Sequence, residues 1–572
     1  MSVQQARRRT VRIEDEDEQR RLPLHHLVGL AAGGVFGSGW LLSAQSAYTQ
    51  AGPRAWLAWL VGGALMLAVA WVMVELSTAA PKTGGLVFLP LQSSGPLVAT
   101  VVAAGLWIFY AINSASEAVA MSRGLSSTSL RLVAHGHLTL TGWGCTLAFM
   151  TAISAVNVIA PRVLFRFSTG LTFAKVAIAV LAVAMLFTLA PLGIPLPPEA
   201  KTGGYGFGAV LRAVVNSGVI YSYVGFQAPL ELAGNIRRRG IGEAARLRWA
   251  VFGTIVASTA LYIALQLVFA RHHVPAQVND DSVSPYVRFA HHAGQYWLEW
   301  LLRIAAVAAP FGAGVVFGQA VTREVAALSR AHLTHRGLQT ARKSSLRQRY
   351  DVYWLILLVN FFIGAVTLWL VNGNWDPLAA ATGVLTLVVY AFPAVVLVSL
   401  RGRVGPYSPT RRTAQDVMAR LSFTLIALIL YGAGWAPVWR AMASLAIGST
   451  LLLVLPVLSR RLPVLGRVYD AKEHVMLFRQ WRTSPSARAA IWLIAYLGVL
   501  TLLTLLGNSS VGTHQMFLVD HQTRLVGVLV AALALGAFEA LVRTSRQHMG
   551  TVPPVLPAPT PASAARASGA SG

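Results

Sequence analysis

Apolar residues run along most of this chain in stretches of about twenty, separated by short polar or basic connections. Twenty apolar residues wound as a helix cross roughly 30 Å of hydrocarbon. Lipid cannot satisfy backbone N–H and C=O groups, so each stretch must close its own hydrogen bonds. The pattern predicts an all-α polytopic membrane protein with about fourteen spans: 25–49, 53–79, 96–121, 138–160, 168–190, 206–235, 247–270, 297–327, 352–372, 377–400, 417–435, 440–458, 488–506 and 524–543. An even number returns the chain to its starting side. The first run follows a charged tail and lacks a small-residue cleavage site, so it reads as a resident span and not as a secretory signal.

Two spans are interrupted. "GGVFGSGW" (33–40) places four glycines in eight positions, and each costs a helix about 1 kcal/mol relative to alanine. "VVNSGVIYSYVGFQAPLELAGNIR" (214–237) carries Gly218, Ser222, Gly225 and Pro229 through its middle. Pro229 lacks a donor and disfavours helix at Ala228. The breaks at Gly37 and Gly225 lie roughly 190 residues apart, and each opens a block of about five spans. Matched interruptions in two halves point to a transporter site between inverted repeats. A break persists where the freed groups meet a polar ligand: a half-helix start offers N–H groups to a carboxylate, and a half-helix end offers carbonyls to an ammonium. The alternative for such glycines is close helix–helix packing.

Composition agrees with a membrane setting. The chain is 55% hydrophobic and 12% charged, with a formal net charge of +26. The excess does not read as a nucleic-acid surface, because Lys and Arg collect in alternate loops: around "IRRRG" (236–240) with Arg246 and Arg248, at 330–349, at 401–412 and at 460–488, while "VNGNWDP" (371–377) has none. That alternation is the positive-inside pattern and places both termini in the cytoplasm. Contact with lipid headgroups follows from the same charge. One cysteine, Cys145, excludes an intrachain disulfide. "EDEDEQRR" (14–21) reads as a solvated arm, and the Pro/Ala/Ser-rich carboxy terminus as disordered. Residues 272–296 read as a polar outer loop. Its His272–His273 and His291–His292 pairs are too far apart, and too poor in placed carboxylates, to favour a metal.

Five stretches carry a resemblance. "FGSGWLL" (36–42), "MVELSTAAPKTGG" (73–85), "FSTGLTFAKVAIAVL" (167–181), "IYSYVGFQAPLELAGNIR" (220–237) and "FGAGVVFGQAVTREVAALSR" (311–330) resemble, in order, the first, second, fifth, sixth and eighth spans of the amino acid–polyamine–organocation superfamily of permeases. Gln227, Pro229 and "IRRRG" depart from the usual sixth-span pattern. The resemblance implies a leucine-transporter-type bundle of two inverted five-helix repeats. It divides the chain into a tail (1–24), a ten-helix core (25–400, halves about 25–190 and 206–400), four accessory spans (401–543) and a second tail (544–572). It implies a carrier in the plasma membrane that works by alternating access. The substrate carboxylate would meet backbone at Val35, Phe36, Gly37, Ser38 and Gly39. The ammonium would meet carbonyls at Tyr221, Ser222 and Tyr223, beside Gly225, with Phe226 as an aromatic gate.

Ionisable residues inside spans are functional suspects, since each costs about 2.5–3.5 kcal/mol on insertion scales. Lys175 matches the place where proton-coupled members that resemble this chain carry a lysine; protonated, it would brace the first span against the fifth and eighth. Snorkelling to the cytoplasmic edge is its other reading. Glu231 reads as a gate or proton site, or as the partner of a cytoplasmic arginine such as Arg237. Glu75 reads as half of a structural pair. Asn113 and Glu117, four apart, share a helix face that looks either into the cavity or onto a polar seam. Arg303 and Arg323 read as anchors at opposite edges. Trp56, Trp59, Trp71 and Trp107 fit interface belts and packing, whereas Trp40 stands beside the first break.

The expected function is secondary transport of amino acids, coupled to protons and needing no cofactor. One charge crossing 100 mV supplies about 2.3 kcal/mol, roughly fifty-fold accumulation. A polyamine or organic-amine permease, or an amino acid exchanger, remains open within the same architecture, as does a non-transporting nutrient sensor. The spans and loops carry no nucleophile–base set, metal-binding His motif or Walker loop, so an enzyme is not expected.

Overall fold

The computed structural model describes residues 24–81, 84–126, 130–134, 136–159, 163–189, 206–231, 241–272, 284–331, 333–340, 342–343, 351–401, 409–458, 482–508 and 521–551. Helix lies within every expected span. Among the described residues, ten helices are long and apolar enough to cross a membrane, and Leu24–Val35, Phe207–Asn216 and Trp354–Leu370 are shorter apolar ones. Both expected interruptions are present. The first span divides into α1 (Leu24–Val35) and α2 (Gly39–Ala51), followed by α3 (Ala55–Ala79). The sixth divides into α8 (Phe207–Asn216), α9 (Val219–Tyr223) and α10 (Ala228–Glu231). Residues 232–240, Arg237 among them, 1–23 and 552–572 lie outside the described residues, whereas 544–551, expected to begin the second tail, continue the last helix to Thr551 and so move that boundary.

The centre of the bundle is α5 (Pro96–Leu125), which Pro96 starts at a position where a missing N–H costs nothing. Every residue from Leu97 to Gly124 is buried. Around it pack α13 (Tyr296–Arg330), α14 (Trp354–Leu370) and α15 (Trp375–Ser399). Farther out stand α6 (Leu140–Ile159), α7 (Val163–Thr188) and α11 (Ile241–His272). Their outward faces show bare apolar side chains such as Phe173, Val180 and Val256, as a helix bathed in lipid would. Trp249, Trp300 and Trp369 are exposed toward helix ends, where amphipathic rings sit best. Trp59 is instead wholly buried and donates to Gln266 Oε1 at 2.9 Å.

Two short helices escape the span pattern. One is α4 (Gly85–Ser94), which leads into α5 across Gly95. The other, α12 (Pro285–His292), corrects the reading of 272–296 as a polar surface loop. Tyr286, Val287, Phe289 and Ala290 make one buried face, and Ser284 Oγ donates to the Leu41 carbonyl at 3.0 Å, so this helix packs against the first turns of α2 beside the break. His272 is buried too, its Nε2 2.7 Å from the Leu186 carbonyl, and His291 pairs with Glu299 at 2.8 Å; His273 lies outside the described residues. Two small antiparallel hairpins, β1–β2 (Val133–Ala134, His137–Leu138) and β3–β4 (Arg342–Lys343, Asp351–Val352), join helices.

Past residue 401 stand α16 (Pro409–Gly432), α17 (Trp435–Leu458), α18 (Pro485–Asn508) and α19 (His521–Thr551). Glu75 ties α3 to the first of them. Its Oε2 accepts from Arg411 Nη2 at 2.8 Å and Gln415 Nε2 at 3.1 Å, and its Oε1 from Arg248 Nη2 at 3.1 Å. This is the structural pairing expected of that residue.

Candidate functional site at the crossing of two broken helices

Glycine brings the two interruptions into contact. A Cβ on Gly225 would lie 2.5 Å from Gly34 backbone, and one on Gly39 would lie 2.1 Å from Ser222 Oγ. Gly225 has φ +121°, a conformation closed to side-chain-bearing residues. Its N–H donates to Gln227 Oε1 at 2.8 Å. That gives a physical reason for the unusual glutamine: it satisfies an amide released by the break.

Carboxylate chemistry at the first break comes from the protein itself. The Ser38 amide, at the start of α2, donates to Glu117 Oε2 at 2.9 Å. Tyr221 Oη donates to Glu117 Oε1 at 2.8 Å. Ser116 Oγ lies 2.7 Å and Ser38 Oγ 3.2 Å from that same hydroxyl, and Trp375 Nε1 donates to Ser38 Oγ at 3.2 Å. All of these residues are buried. A Cβ on Gly37 would strike Glu117 Oε1, so glycine there leaves the carboxylate room.

The carbonyl side is held by donors from neighbouring helices. Lys175 Nζ, on α7, donates to the Gly33 carbonyl at 2.7 Å, and a Cβ on Gly312 of α13 would sit 3.6 Å from it. The lysine therefore lies between the first, fifth and eighth spans and is 1% exposed, which excludes the snorkelling reading. Tyr262, on α11, donates to the Val35 carbonyl at 2.8 Å and to the Ser222 carbonyl at 3.1 Å, joining the last turns of both half-helices. Phe36 tilts against the Tyr262 ring at 5.5 Å.

The remaining candidates are placed as follows. Phe226 is fully buried and meets Tyr390 edge-on at 5.6 Å. Tyr223 points away from the crossing and donates to the Trp59 carbonyl at 3.0 Å. Asn113 is buried, and neither atom of its amide has a hydrogen-bond partner among the described residues. Glu231 lies six residues past Gly225, and its Oε1 accepts from Tyr110 Oη. Trp40 packs against Tyr286 at 6.3 Å. Arg303 is paired with Glu299 one turn earlier at 2.9 Å. Sequence reasoning passed over Ser116, Tyr262 and Trp375. Tyr262 shares its span with the hydroxyls of Thr254, Ser258 and Thr259, so nothing in the sequence sets it apart.

The pattern of the amino acid permease family matches residues 23–459. The aspartate-proton symporter of Bacillus subtilis is 24% identical over 530 residues, 90% of this chain and 95% of its own length. The glutamate/serine transporter AimA of the same organism is 26% identical over 86% of this chain and 88% of its own length. The L-asparagine permease of Streptomyces coelicolor is 25% identical over about half of each chain.

Proposed function

Because the chain belongs to the amino acid permease family, we propose that it carries amino acids across the plasma membrane together with protons, by alternating access around the crossing of the two broken helices. Both termini then face the cytoplasm, an orientation that the alternation of basic loops supports. Residues 25–190 and 206–400 act as the two halves, with 401–543 as a buttress. One observation carries the reading: a half-helix N-terminus mid-bundle is filled by a carboxylate, with a buried lysine on the carbonyl end of the same break. That arrangement is built to hold a carboxylate, and Glu117 holds its place.

Coupling follows from competition. Two ionised carboxylates cannot share one amide in a site without water, because like charges at that distance exclude each other. A substrate carboxylate that takes the Ser38 amide forces Glu117 to accept a proton or to swing away. The substrate ammonium takes the carbonyls of Val35 and Ser222 that Tyr262 now holds. Lys175, charged, pins α1 to α7 and α13; neutral, it releases them. Two relatives that match most of the chain are named for aspartate and for glutamate and serine, which favours amino acids over polyamines as cargo. The crossing brings a single carboxylate, Glu117, to the first break, too few for a polycation.

Purified protein in liposomes tests this. Counterflow of labelled amino acid, and accumulation under an inward proton gradient, are the expected results. Ligand-induced stabilisation with no flux of any amino acid would make the protein a sensor instead.

A further inference from the structure

Trp375 opens α15 and is wholly buried, although Asn372, three residues earlier, is exposed. Its ring touches both broken spans. The indole Nε1 donates to Ser38 Oγ at 3.2 Å, at the start of α2. The ring meets Tyr221 edge-on at 5.6 Å, and a Cβ on Gly218, the residue before α9, would lie 3.0 Å from Trp375 Cη2. Ser38 and Tyr221 both also donate to Glu117. Phe226, the aromatic expected to gate, lies elsewhere, against Tyr390 about four turns farther along α15.

The chain before Trp375 fixes where the ring sits. Asn372 and Gly373 take φ values of +51° and +69°, which turn the backbone sharply into α15. A Cβ on Gly373 would lie 2.7 Å from the Leu138 side chain of β2, and His137 Nδ1 lies 3.1 Å from the Asn372 carbonyl. Asn374 Oδ1 accepts from the Asp376 amide at 3.1 Å and caps the helix. Asp376 in turn pairs with Arg123, near the end of α5, at 3.8 Å. The elbow is thereby fastened to α5, an unbroken helix, and to the hairpin β1–β2.

We propose that Trp375 is the outer gate of the crossing: a ring carried on a fixed elbow and wedged against Ser38 and Gly218, which must part from it before cargo enters from the side of the 371–377 connection. That connection has no Lys or Arg, which sets it on the outer face. The ring is a partition one side chain thick, since it joins an exposed elbow on one side to the first break on the other. An indole can only donate, and its single N–H is used on Ser38; the rest of the ring is apolar surface that keeps water out. The gate contact and the carboxylate contact share one residue, Ser38, through its hydroxyl and its amide. Drawing α2 off Trp375 therefore also moves the amide that Glu117 occupies, which links outer opening to exchange of Glu117 for a cargo carboxylate. The cargo rests on the transport reading; the closure by Trp375 does not.

Thiol labelling of the full chain in intact expressing cells tests the gate. In a C145A background, which removes the chain's single cysteine, A379C places a thiol beside Gly218, one turn farther into the bundle than Trp375. A membrane-impermeant maleimide should label A379C slowly with Trp375 in place and about tenfold faster in W375A, because loss of the ring shifts the population toward the outward-open state. W375F keeps a ring against Tyr221 and Gly218 but drops the N–H, and its rate should fall between the two. Equal rates in all three would overturn the gate, and a W375F rate matching intact Trp375 would overturn the tie to Ser38. Transport kinetics add a readout that ordinary loss of stability would not move. In W375F the KM for amino acid should fall several-fold on the outer face and rise on the inner face, measured in inside-out vesicles, since apparent affinity follows the population each side can reach. KM values shifting together on both faces would also overturn the proposal. Absence of amino acid flux in wild type would sink the transport reading alone, leaving the labelling rates to decide the gate.

Discussion

Glu117 Oε2 accepts the Ser38 amide at 2.9 Å, across 79 residues of chain and between two different helices. A side chain of the protein thus does at the first break what a bound carboxylate would do. Glu117→Gln keeps an acceptor there and removes the charge and its proton. The expected outcome is counterflow within a few fold of wild type, with pH-driven accumulation reduced about tenfold, a loss of about 1.4 kcal/mol of coupling. Radiolabelled uptake into liposomes at two external pH values measures both. Equal accumulation by variant and wild type would separate Glu117 from coupling.

Gly225 and Gly34 touch through their backbones, and Gly225 also holds a positive φ. Gly225→Ala should destabilise the protein by at least the about 1–3 kcal/mol typical of a strained backbone position, and should abolish transport because the crossing must open by tenths of an ångström. Gly170→Ala is the control, since a Cβ there meets nothing within 4 Å. Thermal unfolding in detergent should separate the two clearly. A Gly225→Ala protein as stable and active as the control would mean that the close approach is not needed.

Tyr262 satisfies two carbonyls with one hydroxyl. In Tyr262→Phe the Ser222 carbonyl loses this donor, while the Val35 carbonyl keeps the Gly37 amide at 3.0 Å, so the cost is about 1–3 kcal/mol at most. A substrate ammonium would then gain the carbonyls without displacing a hydroxyl. Lower stability of the empty protein is expected, combined with a larger thermal shift on adding substrate than wild type shows. A smaller shift would mean that the hydroxyl itself contacts the cargo.

Much of this was legible in the residues. The breaks could be read because glycine and proline write conformational requirements directly into sequence, and Lys175, Glu117 and Glu231 because charge in an apolar run is rare. Their roles were harder to read. Asn113 and Glu117 share a face, and only the rotation of α5 against α2 decides that Glu117 meets the amide while Asn113 does not. Tyr262 and Trp375 act through partners more than two hundred residues away in sequence, and aromatics are too common in spans to stand out. The helix at 285–292 was missed because its apolar face is only two turns long and lies among histidines and arginines.

Lys175 gives the sharpest test of how the proton reaches the break. Its Nζ donates to the Gly33 carbonyl at 2.7 Å from a wholly buried position. The bond needs a donor but not a full charge, so Lys175→Gln could preserve the contact while losing the titration. If the lysine carries the coupling proton, uptake by Lys175→Gln should become independent of external pH, while exchange of internal for external amino acid continues. Lys175→Ala should lose both, because the Gly33 carbonyl is then left unpaired and α1 loses its tie to α7. If Glu117 alone carries the proton, Lys175→Gln keeps the pH dependence of wild type and only its rate falls. Measuring initial rates of uptake and of exchange across the same pH series, for both variants and for Glu117→Gln, assigns the proton to one residue or the other.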